Sequence, residues 1–198
     1  MDQPLAPYAG NALEVLHAVG FLKNEIINSR VQDITVSLGA ELLVSAGLAP
    51  KLSDARLQLE KALHLGKALE IFAKMVSALG GPKDFIERPE AHMKTAPIIR
   101  PIFADDEGVV TKIATRDLGL AVIELGGGRR RADDKIDHSV GLAQLLGVNS
   151  LADMNTPLCL VHARDEASFA RAESLVQAAY RVGEHAVEIS PIIERIIP

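Results

Sequence analysis

The hydrophobic pattern changes its period near residue 82, and this change limits the possible folds more than any other feature of the sequence. Residues 10–80 repeat apolar side chains at the i, i+3, i+4 and i+7 spacing of amphipathic helices, and they predict four helices. Residues 82–96 hold prolines and charges without a clear period, and residues 97–163 contain short β-branched runs that indicate strands. The predicted fold class is therefore α/β (α+β), a helical segment followed by a smaller α+β domain.

Capping residues and apolar stripes set the predicted helix boundaries. Asn11 is predicted to cap the first helix, with Glu14 reaching back in a variant of the capping box. The second helix is predicted to start at Asp33. Its predicted core face consists of three large apolar residues: Ile34, Leu38 and Leu42. Leu52 and Leu57 are predicted to form a hydrophobic staple around the start of the third helix.

Proline and turn residues organise the predicted strands of the second half. An apolar run at residues 98–103 is confined by Pro97 and Pro101 to a sheet edge or a bulge. Residues 105–108 predict a turn, and residues 109–113 predict the return strand. The remaining predicted elements are a helix from Thr115 to Gly126, strands at 140–146 and 158–161, a helix at 166–182 and a strand-like tail at 189–197.

Composition excludes several kinds of function. The net charge is -5 and the pI is about 5.7, without a basic cluster, which argues against a nucleic-acid partner. No apolar run reaches the roughly 18 residues that a membrane span needs, and residues 1–20 lack the pattern of a signal peptide. Cys159 is the single cysteine, so no internal disulfide can form. We expect a cytoplasmic globular protein that contacts no membrane.

A glycine- and arginine-rich run, Gly126 to Arg131, is the most conspicuous local feature. Successive free N–H groups beside three arginines could form an anion-binding nest. Alternatively, Gly126 caps a helix, the next glycines form a turn, and the arginines pair with nearby aspartates. These aspartates are Asp133, Asp134 and Asp137. The second, structural interpretation is favoured.

Cys159 and His162 could be taken for a nucleophile and its base. An offset of three residues on a strand places the two side chains on opposite faces, so structural roles are favoured. The six histidines are scattered and show no zinc-ligand spacing, so no residue is assigned to a metal.

Three stretches, in order, resemble the pyrimidine nucleoside phosphorylase family, and specifically its thymidine phosphorylase branch. They read MDQPL and GNALEV within residues 1–15, MVSALGGP at 75–82, and LGGGRR at 125–130. Asp134, Ile136 and Asp137 follow the third stretch, and HARDE at 162–166 resembles a further family segment. The similarity extends from Met1 to about Val182, and the matching order makes it specific.

The resemblance implies a pentosyltransferase that converts thymidine and phosphate to thymine and 2-deoxyribose 1-phosphate. Family members are homodimers with a small helical domain and a large α/β domain around the active cleft. By this comparison, residues 1–81 are the C-terminal helical part of the large domain, and 82–94 are a connector. Residues 95–198 then correspond to the family's hammerhead-like C-terminal domain and a tail.

The family's catalytic residues have no counterpart in this sequence. Its Ser- and Gly-rich phosphate loop and its base-binding Arg, Ser and Lys all precede the family position that matches Met1. No catalytic or substrate-binding residue is therefore assigned, and the chain alone is expected to be inactive. Nucleoside and phosphate would bind through the full enzyme only. Most dimer contacts would also be missing, and helices 10–80 would expose an apolar face.

Some members of the family bind a monovalent cation, and this chain keeps part of that segment. The main-chain carbonyls of the cation site would fall at Leu5 and Tyr8, and the position of its Glu ligand falls at His17. Imidazole is a poor ligand for a hard alkali cation, which prefers oxygen. A bound cation is therefore not favoured, and no other cofactor is expected.

Two alternatives to a truncated phosphorylase remain open. One is a stand-alone binding module derived from the C-terminal domain, which predicts a compact and self-sufficient fragment. The other is a different enzyme of the same superfamily, such as a nucleotide phosphorylase or an anthranilate phosphoribosyltransferase-like protein. The LGGGR segment favours the nucleoside branch over the transferase.

Overall fold

A computed structural model of the chain describes residues 2–189. The chain divides into two compact units, one formed by residues 15–92 and the other by residues 1–14 together with 93–198. Apart from Ile189, the predicted tail lies outside the described residues. Mixed helices and antiparallel sheets confirm the α+β fold class. Within residues 2–189, no helix has the length and apolar character needed to cross a membrane.

The unit of residues 15–92 is helical. It contains most of the first helix and four more: α1 (Asn11–Leu22), α2 (Ser29–Ser45), α3 (Leu52–His64), α4 (Lys67–Ala78) and α5 (Pro89–His92). Asn28 caps α2, because its side chain accepts a hydrogen bond from the Val31 N–H at 2.9 Å. The predicted start at Asp33 was therefore wrong, and Asp33 instead pairs with Arg56 at 3.0 Å.

The predicted core face of α2 was also wrong. Leu38 and Leu42 are 55% and 70% exposed, whereas Val36 and Ala40 are buried. The cause is close packing of α2 against α3, which selects small side chains. A Cβ on Gly39 would lie only 2.9 Å from the Leu59 side chain. Helix spacing alone does not show which stripe of a helix meets a neighbour.

The predicted staple of the third helix was wrong for a similar reason. Lys51 is the N-cap of α3, and Leu52 is already its first helical residue. Leu52 and Leu57 are 39% and 51% exposed. The helical unit exposes further large apolar side chains on α4 and beside the helices: Ile27, Leu48, Leu65, Ile71, Met75 and Leu79. Such a surface is unusual for a monomeric protein.

The other unit contains two antiparallel sheets, with strand orders β1-β4-β6-β2 and β5-β3-β7. Its strands are β1 (Tyr8–Ala9), β2 (Ile98–Ile102), β3 (Gly108–Ile113), β4 (Gly141–Ala143), β5 (Leu151–Ala152), β6 (Cys159–Ala163) and β7 (Tyr180–Gly183). Its helices are α6 (Thr115–Leu125) and α7 (Glu166–Ala179). These helices pack on each other, and one apolar core joins them to both sheets.

The predicted pairing of residues 98–103 with 109–113 was wrong. β2 pairs with β6, whereas β3 pairs with β5 and β7, so residues 105–108 carry the chain from one sheet to the other. The predicted edge position is confirmed, because β2 is the last strand of its sheet. Pro101 lies there opposite Leu160, where its missing N–H weakens the ladder least.

The N-terminal segment packs with the sheets rather than with the helical unit. β1 pairs with β4, and the N–H of Leu145 donates to the Pro7 carbonyl at 3.0 Å. Gly10 and Gly141 meet at the end of this pairing, where a Cβ on Gly10 would lie 2.7 Å from the Val140 carbonyl oxygen. Residues 1–14 therefore group with the sheets and not with the rest of the predicted segment 1–81. The predicted connector at 82–94 stays a prediction.

The start of α1 reinforces this attachment. Gly10, rather than the predicted Asn11, precedes the helix, and its N–H donates to the Glu14 carboxylate at 2.9 Å. The prediction that Glu14 reaches back to the start of the helix is confirmed, but its partner is the N–H of Gly10 rather than that of Asn11. The Asn11 side chain instead donates to the Gly127 carbonyl at 3.0 Å. Asn11 thus connects the N-terminal segment to the glycine-rich turn that follows α6.

Candidate functional site

The glycine-rich turn closes α6, as predicted. Gly126 adopts a left-handed conformation with φ of 97°, which favours glycine at a helix C-cap. The N–H groups of Gly126 and Gly127 donate to the carbonyls of Ile123 and Val122, at 3.0 and 2.9 Å. A Cβ on Gly127 would lie 2.8 Å from the Val122 side chain. The first two glycines therefore serve the helix terminus.

The Asp134 carboxylate accepts hydrogen bonds from the backbone of the arginine run. The N–H groups of Arg130 and Arg131 donate to its carboxylate at 3.0 and 2.9 Å. These two hydrogen bonds lower the pKa of Asp134, and the bond from Arg131 has the larger effect. Because a protein carboxylate takes the N–H groups that an anion would need, the backbone here does not form an open nest. For Arg130 the predicted pairing with an aspartate is corrected, because its side chain pairs with Glu124 instead.

Asp137 holds the other end of this turn. Its N–H donates to the Gly126 carbonyl at 2.9 Å. Its carboxylate accepts from the hydroxyl and the N–H of Ser139, at 2.6 and 3.0 Å. The hydroxyl contact is the main cause that lowers the pKa of Asp137. The turn is thus fixed by its own hydrogen bonds at both ends.

We expect Asp137 to make the stability of the chain sensitive to acid. Its folded pKa lies below the value of about 3.9 for an unfolded aspartate, so its contribution is complete above that value. The contribution is lost as the pH falls through the folded pKa. Asp137→Asn should therefore lower the urea midpoint at neutral pH and flatten its fall between about pH 5 and pH 3.

Urea unfolding at several pH values checks this expectation. Asp106→Asn, in the exposed turn before β3, is the matched control for losing one carboxylate. If the urea midpoint of Asp137→Asn fell with pH as steeply as that of the wild type, Asp137 would not be a source of the acid sensitivity.

A cleft of about 410 Å³ opens beside the turn. Six charged side chains from α6, the turn, the loop after β6 and α7 line it: Glu124, Arg130, Asp134, Lys135, Arg164 and Arg171. Glu124 is shared, because it pairs with Arg130 and lies 3.5 Å from the Arg171 Nε. The Nε of Arg164 donates to Asp165 at 3.2 Å. Chemically, the cleft offers guanidinium and ammonium donors around a polar space.

Glycine at position 126 also shapes the cleft. A Cβ there would lie 3.3 Å from Nη1 of Arg164, which is tight for a side-chain contact. Arg164 can therefore lie against the backbone of the turn. The arginines at 164 and 171 were not identified from the sequence as members of a site. Their convergence depends on the packing of α6 on α7, and no local spacing signals it.

Cys159 and His162 occupy opposite faces of β6, as predicted. Cys159 is fully buried, and burial raises the pKa of its thiol to about 12, which disfavours the reactive thiolate. His162 is half-buried on the other face, and burial lowers its pKa. These environments agree with structural roles for both residues.

The residues of the candidate cation segment fall in different units. Leu5 and Tyr8 belong to the unit with the sheets, whereas His17 belongs to the helical unit. His17 is buried, and burial lowers its pKa, which favours the neutral imidazole. Among residues 2–189, no group of three or more His, Cys, Asp or Glu side chains could hold a metal ion. The expectation that this segment does not bind a monovalent cation stays a prediction.

Residues 109–183, from β3 to β7, match the family model of the pyrimidine nucleoside phosphorylase C-terminal domain. The matched part contains α6, the glycine-rich turn, the charged cleft and α7. This chain therefore carries a domain of the kind that ends pyrimidine nucleoside phosphorylases, which are transferases. The match covers less than half of the chain. Over residues 109–183 it confirms the resemblance to the pyrimidine nucleoside phosphorylase family, consistent with a C-terminal portion of such an enzyme.

Proposed function

We propose that this chain is the C-terminal portion of a thymidine phosphorylase. The reaction would convert thymidine and phosphate to thymine and 2-deoxyribose 1-phosphate, in cytoplasmic nucleoside salvage. The matched C-terminal domain is the observation that carries this proposal. The preference for thymidine rests on the motifs at residues 1–15, 75–82 and 125–130, which resemble the thymidine branch.

The proposed role of the chain is to support the active cleft rather than to perform the chemistry. Phosphorolysis needs an anion site for the attacking phosphate and donors that stabilise the departing base. The chain contains no Ser- and Gly-rich phosphate loop. In the described part, the glycine-rich turn uses its N–H groups on α6 and Asp134, so it does not substitute for that loop.

Reconstitution tests this proposal. Residues 1–198 would be joined to, or mixed with, the N-terminal half of a family member that carries the phosphate loop and the base-binding residues. We expect thymidine to be cleaved when this half comes from a thymidine phosphorylase, because that half supplies the base-binding residues and should fit the present chain. The N-terminal half alone is the control and should show no turnover. A stable, folded hybrid with that half that does not cleave thymidine would contradict the proposed function. Recovery of activity only with the N-terminal half of a uridine-cleaving family member would contradict the thymidine assignment.

A stand-alone binding module is the second candidate. Its support is the core of the unit with the sheets, in which β3 to β7, α6 and α7 bury a continuous set of apolar side chains. A domain with its own core can fold alone. Measurement of self-association distinguishes the candidates. A monodisperse monomer favours the module, and association through exposed apolar side chains such as Leu42 and Ile71 favours the phosphorylase fragment.

A further inference from the structure

We propose that the charged cleft beside the glycine-rich turn binds a small molecule that carries a phosphate group. This inference goes beyond the proposed phosphorylase function and does not depend on turnover. It rests on the side chains that line the cleft, because the backbone N–H groups of Arg130 and Arg131 are already bonded to Asp134.

The charges that line the cleft favour an anion. Four cationic side chains and two carboxylates line the cleft, and Asp165 beside it pairs with Arg164, so one positive charge is left unbalanced. Glu124 is one carboxylate shared by the guanidinium groups of Arg130 and Arg171, which leaves most of their N–H donors available. Lys135 is exposed and forms no ion pair with any described residue. The cleft therefore has cationic donors beyond those that its carboxylates neutralise.

The position of Arg164 adds a preformed donor. Its Nε donates to Asp165, which orients the guanidinium, while Nη1 lies beside Gly126 at the wall of the cleft. Planar guanidinium groups match the paired oxygens of phosphate, and they bind it through charge-assisted hydrogen bonds. Because glycine allows this approach, the turn and Arg164 act together in the proposed site.

Size and charge distribution select the class of ligand. About 410 Å³ exceeds the room that a single ion needs and falls within the range of small-molecule sites. A nucleic acid is disfavoured, because the chain has a net charge of -5. The chemistry on this surface thus fits a compact, phosphate-bearing molecule.

Calorimetric titration of the full chain with pyrophosphate and with inorganic phosphate, at matched ionic strength, tests this site. We expect saturable binding at one site, with pyrophosphate tighter than phosphate because it can reach more cations. Lys135→Ala and Arg164→Ala should each weaken binding about tenfold. Glu124→Gln should tighten it about threefold, because it frees two guanidinium groups.

Arg116→Ala is the matched control, because Arg116 lies in the first turn of α6 at the end opposite the cleft. It should bind pyrophosphate like the wild type. Urea midpoints show whether each variant is folded, and Lys135→Ala changes only an exposed side chain. Binding that is not saturable would overturn the proposal. Equal affinities in Lys135→Ala and Arg116→Ala, or citrate binding as tightly as pyrophosphate, would overturn it too.

Discussion

No phosphorolysis of thymidine is expected from residues 1–198 alone. Removing a single oxyanion donor from an active site costs roughly 10²–10³ in rate. This sequence offers neither the family's phosphate loop nor its base-binding set, so several such contributions are missing together. Turnover should therefore fall below detection.

Cys159 and His162 do not form a substitute catalytic pair. Cys159 is buried with a raised pKa, and His162 faces away from it on β6. A phosphorolysis assay with thymidine and phosphate on the purified chain measures the outcome, with a complete family enzyme as the positive control. Turnover that co-purifies with the chain would refute the proposed supporting role.

Replacement of Gly141 by alanine should cause the largest loss of stability among the single substitutions considered. Gly141 has φ of 156°, and a Cβ would meet the Ala9 carbonyl oxygen and lie 3.0 Å from both the Gly10 Cα and the Leu13 side chain. Backbone atoms cannot move away as a flexible side chain can. We expect Gly141→Ala to lower the free energy of unfolding by about 2–4 kcal/mol.

Urea unfolding of Gly119→Ala provides the matched control. Gly119 lies within α6, and a Cβ there meets no atom within 4 Å. The same chemical change should therefore stabilise the chain by about 0.5–1 kcal/mol, because alanine favours the helix. Similar midpoints for the two variants would show that the contact between β1 and β4 contributes little.

Local chemistry predicted several features correctly. Gly126 ends α6 because the left-handed C-cap favours glycine, and Pro101 lies on an edge strand because it has no N–H to donate. The opposite faces of Cys159 and His162 follow from strand alternation. Each of these outcomes depends on a residue and its immediate neighbours, which the sequence displays.

Features that depend on distant contacts were not predictable in this way. The buried face of α2 is set by small residues such as Ala40 against α3, so the spacing of Leu38 and Leu42 was misleading. The cleft requires Arg164 and Arg171 to meet the turn after α6. Only the packed arrangement of α6 and α7 brings them together.

The pairing of β1 with β4 has a consequence for synthesis and folding. Tyr8 and Ala9 reach their partners, Ala143 and Leu142, only after more than a hundred further residues have emerged from the ribosome. The helical residues 15–92 form in the interval, from contacts close in sequence that assemble quickly. Closing the sheet must then overcome the entropy of a long loop. Pairing of β1 with β4 should therefore be a late and slow step. Until that step, chaperones rather than the folded sheet must protect Tyr8 and Ala9.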